Sequence, residues 1–440
     1  MDEMTTQSVC PVCLQRLTAS KKREGDRVFL EKTCPEHGSF RTLIWNGPPD
    51  YDSWNRNDPK VHLAHTHTRK DRGCPYDCGI CPEHRQNTCC VLLEVTQRCN
   101  LSCPVCFASS GESQAEDPSV EEISQWYDLL MDSGGPFNIQ LSGGEPTMRD
   151  DLPDLIRIGK EKGFSFFQLN TNGLRLATQP DYAAVLKAAG LDCVFLQFDG
   201  LQDSTYLALR GKALLRQKLA VIDVCAKNGL GVVLVPTIAC GINDSEIGAL
   251  LNFAVQRLPD VRGIHFQPMS YFGRYPGQPG QRLTIPDMLR KIEEQTAGQM
   301  KAADFSPGSA ENPYCSFHAS YLLQPNGSLK SLGGQKESCC GNASRSREYV
   351  AQHWSAAPSS GCCSSLRERE PQSFDDFLER TRQYTLPVSG MIFQDAWNLD
   401  LDRLRQCYIH VVSPDRRIIP FCAYNLTGVD GDTLYRGKLV

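Results

Sequence analysis

Six short apolar stretches between residues 91 and 270 constrain the fold of this chain more than any other feature of its sequence. Segments with helical periodicity separate them, and most of those segments end on glycine. Such alternation is typical of a parallel sheet that is covered by helices. Six units fall short of the eight that close a complete barrel, so we expect an α/β fold with a partial (β/α)6 TIM-type barrel over residues 91–305. The predicted strands are VLLEVT (91–96), FNIQLSG (137–143), FSFFQLNT (164–171), CVFLQFD (193–199), GVVLVPT (231–237) and GIHFQP (263–268).

The clearest helical segment between these strands is DPSVEEISQWYDLLMDSGG at 117–135. Asp117 is a suitable N-cap residue, and Pro118 suits the first turn of a helix. Gly134 is a typical stop signal. The segment therefore predicts a helix that Asp117 caps and Gly134 ends.

Composition and charge exclude several classes of partner. The 440 residues are 40% hydrophobic and 22% charged, with a formal net charge of −5, so bulk electrostatics do not favour nucleic acid. The acidic start MDEMTTQSVCPVC lacks the apolar region of a secretory signal. The longest apolar run, LGVVLVP at 230–236, is too short to span a bilayer. We expect a soluble, cytoplasmic protein with no transmembrane segment and no nucleic-acid partner.

The 21 cysteines are unusual for such a chain. In a cytosolic protein of this size they indicate metal sites rather than disulfides. Only Cys193, Cys225 and Cys240 lie between residues 107 and 314, in contexts typical of inert buried thiols. The other 18 form groups, most of them with ligand-like spacing.

One such group, Cys99, Cys103 and Cys106, follows the first predicted strand with the spacing C-x3-C-x2-C. It lies on a loop at the carboxyl end of the strand, where parallel α/β folds place active sites. Three thiolates hold three irons of a [4Fe–4S] cluster and leave the fourth iron open for a ligand. A zinc knuckle with a distant fourth ligand is the alternative. The elements that follow disfavour it, because they fit a nucleotide-like ligand at the same end of the barrel.

Polar clusters follow the next three strands. LSGGEPT (141–147) has a glycine pair that allows close approach of backbone to a ligand, and Glu145 offers a carboxylate to an ammonium group. NTNG (170–173) and QFDG (197–200) end the third and fourth strands. Arg210, on the segment after that, is suited to binding a carboxylate.

The cysteine triad after the first strand and GGEP after the second resemble the radical S-adenosylmethionine (SAM) superfamily. That resemblance implies that the open iron binds the amino and carboxylate groups of SAM. Reductive cleavage then gives a 5′-deoxyadenosyl radical that attacks an unactivated C–H bond of an organic substrate, with an electron donor such as ferredoxin or flavodoxin. Motif position implies contacts to the methionine amino end from Ser142, Gly143, Gly144 and Glu145. Asn170, Gln197, Asp199 and Arg210 are candidates for the ribose and carboxylate, with a purely structural role equally open for each. No catalytic side chain is assigned.

A narrower resemblance extends over nearly the whole chain. CPVC with CPEHG, CPYDCGICPEH, EVTQRCNLSCPVCFA and the tail CYIHVVSPDRRIIPFCAYN are similar to the subgroup of archaeal tetraether-lipid synthases and 6-hydroxymethylpterin-methylase-like proteins. The adjacent cysteine pairs also resemble a bacterial radical SAM (seleno)protein set; they are Cys89–Cys90, Cys339–Cys340 and Cys362–Cys363. This subgroup implies several iron–sulfur clusters and one mononuclear metal.

Residues 1–48 are expected to form a zinc-ribbon or rubredoxin-like module. VFLEKT (28–33) and FRTLIW (40–45) alternate as strands do. Three thiols and one imidazole match a tetrahedral site for zinc or iron, and a closed site of four ligands is structural. The four ligands are Cys10, Cys13, Cys34 and His37.

Residues 49–90 contain a linker and a second C-x3-C-x2-C group, and residues 306–440 form a cysteine-rich C-terminal domain. We expect one or two auxiliary [4Fe–4S] clusters in these segments. For the first group a zinc knuckle is the alternative, and for the second a buried, unligated cysteine. The first group is Cys74, Cys78 and Cys81, with a fourth ligand from elsewhere. The second is Cys315, Cys340, Cys407 and Cys422, where Cys339 is able to replace Cys340 and a turn at SPDRR places Cys407 and Cys422 on facing strands.

Two further motifs have open interpretations. His62, His65 and His67 in VHLAHTHT fit a solvated loop better than a metal site. Cys362 and Cys363 in SSGCCSS are either exposed thiols for redox exchange, sulfur chemistry or radical capture, or incidental residues of a disordered loop.

Three functions remain for the whole chain: a radical SAM enzyme, a multi-cluster iron–sulfur electron-transfer protein, and a zinc-ribbon scaffold. Only the first explains GGEP and the polar strand ends. The sequence leaves the substrate open among a lipid, a pterin, a peptide and a small thiol.

Overall fold

The computed structural model describes residues 4–55, 63, 66–111, 116–276, 279–333, 343–357, 367 and 369–437. Its N-terminal module is an antiparallel sheet of four strands in chain order, followed by the short helix α1 (Tyr51–Trp54). The sequence predicted two of these strands. The other two are rich in polar and charged residues, which hides their alternation. The strands are β1 (Met4–Val9), β2 (Arg16–Glu24), β3 (Arg27–Cys34) and β4 (Gly38–Asn46).

The predicted partial barrel is confirmed. Six parallel strands lie side by side in chain order and correspond to the six apolar stretches of the sequence. They are β5 (Cys90–Thr96), β6 (Asn138–Gly143), β7 (Phe167–Thr171), β8 (Cys193–Gln197), β9 (Gly231–Val235) and, after the short β10 (Thr237–Ile238), β11 (Val261–Pro268). The helices between and after them are α2 (Val120–Asp132), α3 (Leu152–Glu161), α4 (Leu174–Thr178), α5 (Asp181–Ala189), α6 (Asp203–Arg210), α7 (Leu215–Lys227), α8 (Ile247–Gln256) and α9 (Ile285–Gln295).

Strands from the C-terminal third of the chain extend this sheet on both sides. The strand β14 (Thr385–Met391) pairs in parallel with β11, at Val388 and Ile264. The strand β15 (Ile409–Val412) pairs in parallel with β5, at His410 and Val91. The segment after residue 305 therefore continues the barrel sheet at both of its edges. The elements are β12 (Ser316–Leu323), β13 (Leu329–Ser331), α10 (Ala343–Trp354), α11 (Phe374–Tyr384), β14 (Thr385–Met391), α12 (Leu401–Arg405), β15 (Ile409–Val412), β16 (Ile418–Pro420) and α13 (Phe421–Tyr424).

The start of α2 differs from its prediction. Ser119 is the N-cap residue, and it forms a capping box with Glu122. The carboxylate of Asp117 instead accepts a hydrogen bond from Thr96 Oγ1 at 2.5 Å and forms an ion pair with Arg98. The prediction that Asp117 caps the helix was wrong, because a guanidinium from the cysteine loop binds the same carboxylate.

The predicted C-terminal hairpin is present, since β15 and β16 pair antiparallel with Val412 opposite Ile418. Cys407 lies before β15, and Cys422 lies in α13. The two cysteines thus flank the hairpin and do not lie on its facing strands, which corrects the prediction. In the part of the chain that the structure describes, no helix has the length and apolar character to cross a bilayer.

Candidate active site

A cavity of about 300 Å³ occupies the interior of the barrel. Inward-facing side chains of β5 to β9 and β11, the loops at their carboxyl ends and part of α10 form its walls. Ten of the eleven residues predicted for the cluster and SAM line this cavity. They are Cys99, Cys103, Cys106, Ser142, Gly143, Gly144, Glu145, Asn170, Gln197 and Arg210.

The cysteine loop is held in place by Arg274, a residue that the sequence analysis missed. The backbones of Cys106 and Arg274 exchange two hydrogen bonds, of 2.8 and 2.9 Å, and Arg274 Nε donates to the Cys103 carbonyl at 2.7 Å. Burial raises the pKa of the Cys99 thiol to about 12. Cluster assembly must therefore displace protons from this loop.

The glycine pair of GGEP is required by the packing of two loops. A Cβ atom on Gly143 would lie 2.2 Å from the Thr96 carbonyl oxygen, and one on Gly144 would lie 2.2 Å from that of Arg98. The Gly144 and Glu145 amides donate to these same two carbonyls at 2.8 and 2.9 Å. The glycines thus fix GGEP against the backbone that leads into the cysteine triad. The sequence alone suggests close approach of a ligand as the reason for this glycine pair, whereas the structure shows contact between two loops.

Glu145, predicted to bind an ammonium group, has most of its hydrogen-bonding capacity used within the protein. Its Oε1 accepts from the amide and hydroxyl of Thr147 and from Thr171 Oγ1, the two hydroxyls at 2.7 and 2.6 Å. Its Oε2 accepts one bond, from the Asn172 amide at 2.7 Å. The carboxylate therefore ties the ends of β6 and β7 together, and only Oε2 keeps a lone pair for a further donor.

Asp199, predicted as a ligand contact, does not line the cavity. It is fully buried and accepts hydrogen bonds from Arg210, from Gln197 Nε2 at 2.7 Å and from the Thr237 amide at 3.0 Å. Its side chain serves to orient Arg210 and Gln197, which do reach the cavity wall.

Lys218 is a second residue that the sequence analysis missed. It is fully buried on α7, and its Nζ donates to the Asn172 carbonyl at 2.6 Å and to Gln197 Oε1 at 3.0 Å. Burial lowers its pKa to about 8. A lysine inside a helical pattern gives no sign of this role, because its partners are 46 and 21 residues away in the chain.

The N-terminal module brings its four predicted ligands together. The Sγ atoms of Cys10, Cys13 and Cys34 and a ring nitrogen of His37 all lie within 4.8 Å of one another. This spacing fits one tetrahedral zinc or iron ion. Among the described residues no other set of three or more such ligands converges so closely.

The segment 74–81 is clamped between the ribbon and the C-terminus. Tyr435 Oη donates to the Pro75 carbonyl at 2.6 Å and accepts from the Cys78 amide at 2.9 Å. Tyr76 Oη donates to the Leu14 carbonyl at 3.0 Å. Three separate parts of the chain therefore meet at this cysteine group.

Three of the four predicted tail cysteines, Cys315, Cys407 and Cys422, line one small cavity of about 20 Å³. Arg403 Nη2 lies 3.5 Å from Cys315 Sγ in the same wall. This cavity shares wall residues, Tyr408 among them, with the barrel cavity.

Of the remaining motif residues, His67 donates its amide to the Ile80 carbonyl. Outside the described residues lie His62, His65, Cys339, Cys340, Cys362 and Cys363.

Two parts of the chain match known families. Residues 93–254 match the Radical SAM superfamily. Residues 3–46 match the HMPTM N-terminal zinc ribbon domain. The two matches fall on the barrel strands and on the N-terminal four-stranded sheet.

Individual relatives differ in how much of the chain they cover. The 7,8-dihydro-6-hydroxymethylpterin dimethyltransferase of Methanocaldococcus jannaschii is 35% identical, over 96% of this chain and 93% of that protein. The GTP 3′,8-cyclase of Paenarthrobacter nicotinovorans is 32% identical, over 44% of this chain and 55% of the cyclase. Among solved structures, Streptococcus suis SuiB bound to S-adenosylmethionine has a TM-score of 0.41 and 15% identity, over 48% of each chain.

Proposed function

The chain belongs to the radical SAM superfamily, and we propose that it transfers one-carbon groups to a pterin. It is a radical SAM enzyme. When bound, the iron–sulfur cluster supplies the electron that splits SAM into methionine and a 5′-deoxyadenosyl radical. One observation carries the pterin assignment: the 35% identity, over 96% of this chain, to a protein named as a pterin dimethyltransferase. The alternative of an electron-transfer protein without SAM chemistry gains no support from these relatives.

We assign the catalytic cluster to Cys99, Cys103 and Cys106. The three thiols line the barrel cavity, and Arg274 holds the loop that carries them. Ser142, Gly143, Gly144 and Glu145 would bind the methionine end of SAM, since their loop packs directly against the approach to the triad. Asn170, Gln197 and Arg210 would contact the rest of SAM from the cavity wall, with Asp199 as a positioning residue behind them.

The cavity combines apolar side chains with amide groups, which suits a compact, flat substrate with polar edges better than a lipid chain. Six amide side chains of the barrel strands face it, whereas coupling of lipid chains needs a long apolar channel. A pterin presents ring nitrogens, an exocyclic amine and a carbonyl along its edges, and amides pair with such groups as donors and acceptors. The six amides are Asn138, Gln140, Gln168, Asn170, Gln197 and Gln267.

The other metal groups would support this centre. The ribbon set would hold one structural zinc or iron ion. Auxiliary [4Fe–4S] clusters would occupy the group at Cys74, Cys78 and Cys81 and the group at Cys315, Cys407 and Cys422, with the fourth tail ligand at Cys340. We retain the division into residues 1–48, 49–90, 91–305 and 306–440. We also retain ferredoxin or flavodoxin as the electron donor and a cytoplasmic location, because so many thiol ligands suit a reducing compartment.

The test is anaerobic reconstitution with iron and sulfide, followed by incubation with SAM, dithionite and 7,8-dihydro-6-hydroxymethylpterin. In this mixture a further molecule of SAM is the proposed methyl donor and leaves S-adenosylhomocysteine. We therefore expect 5′-deoxyadenosine, S-adenosylhomocysteine and pterin products heavier by one or more CH2 groups in mass spectrometry. The Cys103→Ala protein should form neither product. Formation of 5′-deoxyadenosine without any change in the pterin would overturn the pterin assignment.

A further inference from the structure

Three amide side chains inside the barrel form a directional hydrogen-bonded relay. Gln168 Nε2 donates to Asn170 Oδ1 at 2.7 Å, and Asn170 Nδ2 donates to Gln140 Oε1 at 3.3 Å. Gln140 Nε2 lies 3.5 Å from the Sγ of Cys90. All four residues line the cavity. In this arrangement the donors run along β7 and then across to β6 and β5, so Gln168 Nε2 is occupied by Asn170.

The relay leaves one polar atom without a partner. Gln168 is 1% exposed, and its Oε1 is a buried acceptor that no group of the described protein satisfies. A buried unpaired carbonyl is costly, and native proteins rarely tolerate it without a functional reason. Rotation of the amide alone would place Oε1 against the oxygen of Asn170. A ligand in the cavity that donates an N–H group would satisfy this atom without disturbing the relay.

Aromatic rings form another part of the same cavity wall. Phe195 and Trp354 are stacked, with centroids 5.3 Å apart and an interplanar angle of 27°. The His265 ring lies 5.6 Å from Phe195. Burial lowers the pKa of His265 to about 4, so this ring is neutral at physiological pH. Such a wall favours a flat, uncharged ring system over a flexible chain.

We propose that Gln168 is a specificity-determining residue that accepts a hydrogen bond from a ring N–H or exocyclic amine of a flat heterocyclic substrate. This inference rests on the proposed function, where that heterocycle is the pterin. On β7, Gln168 lies three residues before Thr171, roughly 10 Å along the strand at 3.3 Å per residue, and Thr171 Oγ1 donates to Glu145 of the GGEP loop. Loss of Gln168 should weaken substrate binding.

The experiment compares binding of 7,8-dihydro-6-hydroxymethylpterin to three reconstituted variants by anaerobic calorimetry. Gln168→Met keeps the length of the side chain and removes the acceptor, so we expect binding about tenfold weaker than in the wild type. Gln168→Glu should restore most of the affinity, because a carboxyl group buried at this position is expected to be protonated and then supplies both the donor to Asn170 and an acceptor. Gln202→Met changes an exposed glutamine and should bind as the wild type does. Gln202→Met should also form 5′-deoxyadenosine from SAM at the wild-type rate when pterin is absent. The Gln168 variants are judged on pterin binding, because Gln168 donates to Asn170, a proposed SAM contact.

A second experiment changes the ligand and measures its binding to the wild type and to Gln168→Met. A pterin analogue whose donor N–H groups are methylated should bind the wild type about tenfold more weakly and should lose nothing further in Gln168→Met. Equal binding of pterin and analogue to the wild type would overturn this inference alone. A wild type that cleaves SAM and does not bind pterin at all would overturn the proposed function and this inference with it.

Discussion

Arg210 and Asp199 form a bidentate ion pair inside the barrel, with Nε–Oδ2 and Nη2–Oδ1 distances of 2.8 and 2.7 Å. The two side chains are 8% and 0% exposed. Arg210 Nη1 also donates to the Val105 carbonyl at 3.0 Å, between two cysteines of the triad. The pair therefore connects the end of β8 to the cysteine loop.

We predict that Arg210→Met destabilises the protein by roughly 3–5 kcal/mol, because it leaves the Asp199 carboxylate buried without its counter-charge. Chemical denaturation under anaerobic conditions measures this loss. The double variant Arg210→Met/Asp199→Leu should recover much of the stability, since no buried charge remains. It should still retain less iron than the wild type, because the contact to Val105 is absent. A single variant as stable as the double variant would contradict this account.

Gly144 gives a prediction that depends on steric contact alone. Alanine at this position would place Cβ 2.2 Å from the Arg98 carbonyl oxygen, so GGEP must move away from the cysteine loop. We expect Gly144→Ala to weaken SAM binding by at least about tenfold, measured by equilibrium dialysis of the iron-loaded protein. Gly280→Ala is the matched control, because the nearest atom to its added Cβ is 3.9 Å away. Similar SAM affinity in both variants would show that the loop contact is unimportant.

The features predicted well from the sequence are those encoded locally. The first predicted strand, VLLEVT at 91–96, is β5 at Cys90–Thr96, because a buried parallel strand needs only a run of apolar residues. Likewise the ribbon ligands come from two short motifs, C-x2-C and CPEH. The ligands within each motif are so close in sequence that their ligand atoms must also lie close together in space.

The features that were missed depend on contacts between distant parts of the chain. The alternation of β15 does not reveal that Ile409 pairs with Cys90, since any exposed strand edge offers the same backbone groups. Arg274 and Lys218 act through backbone carbonyls, which every residue possesses and no sequence pattern marks. Asp117 was misassigned for a related reason, because Arg98 binds it from another loop.

The Cys362–Cys363 pair lies outside the described residues, and its role in SAM cleavage can be compared with that of the proposed cluster ligands. Cys103→Ala removes a predicted ligand of the catalytic cluster and should abolish formation of 5′-deoxyadenosine. Cys363→Ala should leave this cleavage intact when no substrate is present. Chromatography of anaerobic reaction mixtures measures both. Loss of cleavage in the second variant would place Cys363 in the central mechanism.

We predict that the metal ion of the N-terminal ribbon can be removed without loss of the iron–sulfur clusters. Removal of His37 takes away one of four converging ligands, so His37→Ala should lose about one metal ion per chain on dialysis against a chelator. Its sulfide content should stay at the wild-type value, because the clusters lie elsewhere. His67→Ala is the control, since His67 is exposed in the linker and should affect neither quantity. A parallel fall in sulfide would indicate that the ribbon metal supports the whole fold.

Lys218 predicts how stability depends on pH. Burial lowers its pKa to about 8 in the folded protein, whereas an unfolded lysine titrates near its model-peptide value of about 10.4. Between these values the unfolded chain binds more protons, so the contribution of this residue to the free energy of unfolding rises with pH, by roughly 3 kcal/mol over the whole window. We would measure the free energy of unfolding of the wild type and of Lys218→Met by denaturant titration between pH 7 and about 10. The value for the wild type should rise with pH relative to the value for the variant. Lys227→Met, at the exposed end of the same helix, should follow the wild type throughout. Parallel pH profiles for wild type and Lys218→Met would mean that Lys218 keeps an ordinary pKa and that its amine is hydrated in the folded state.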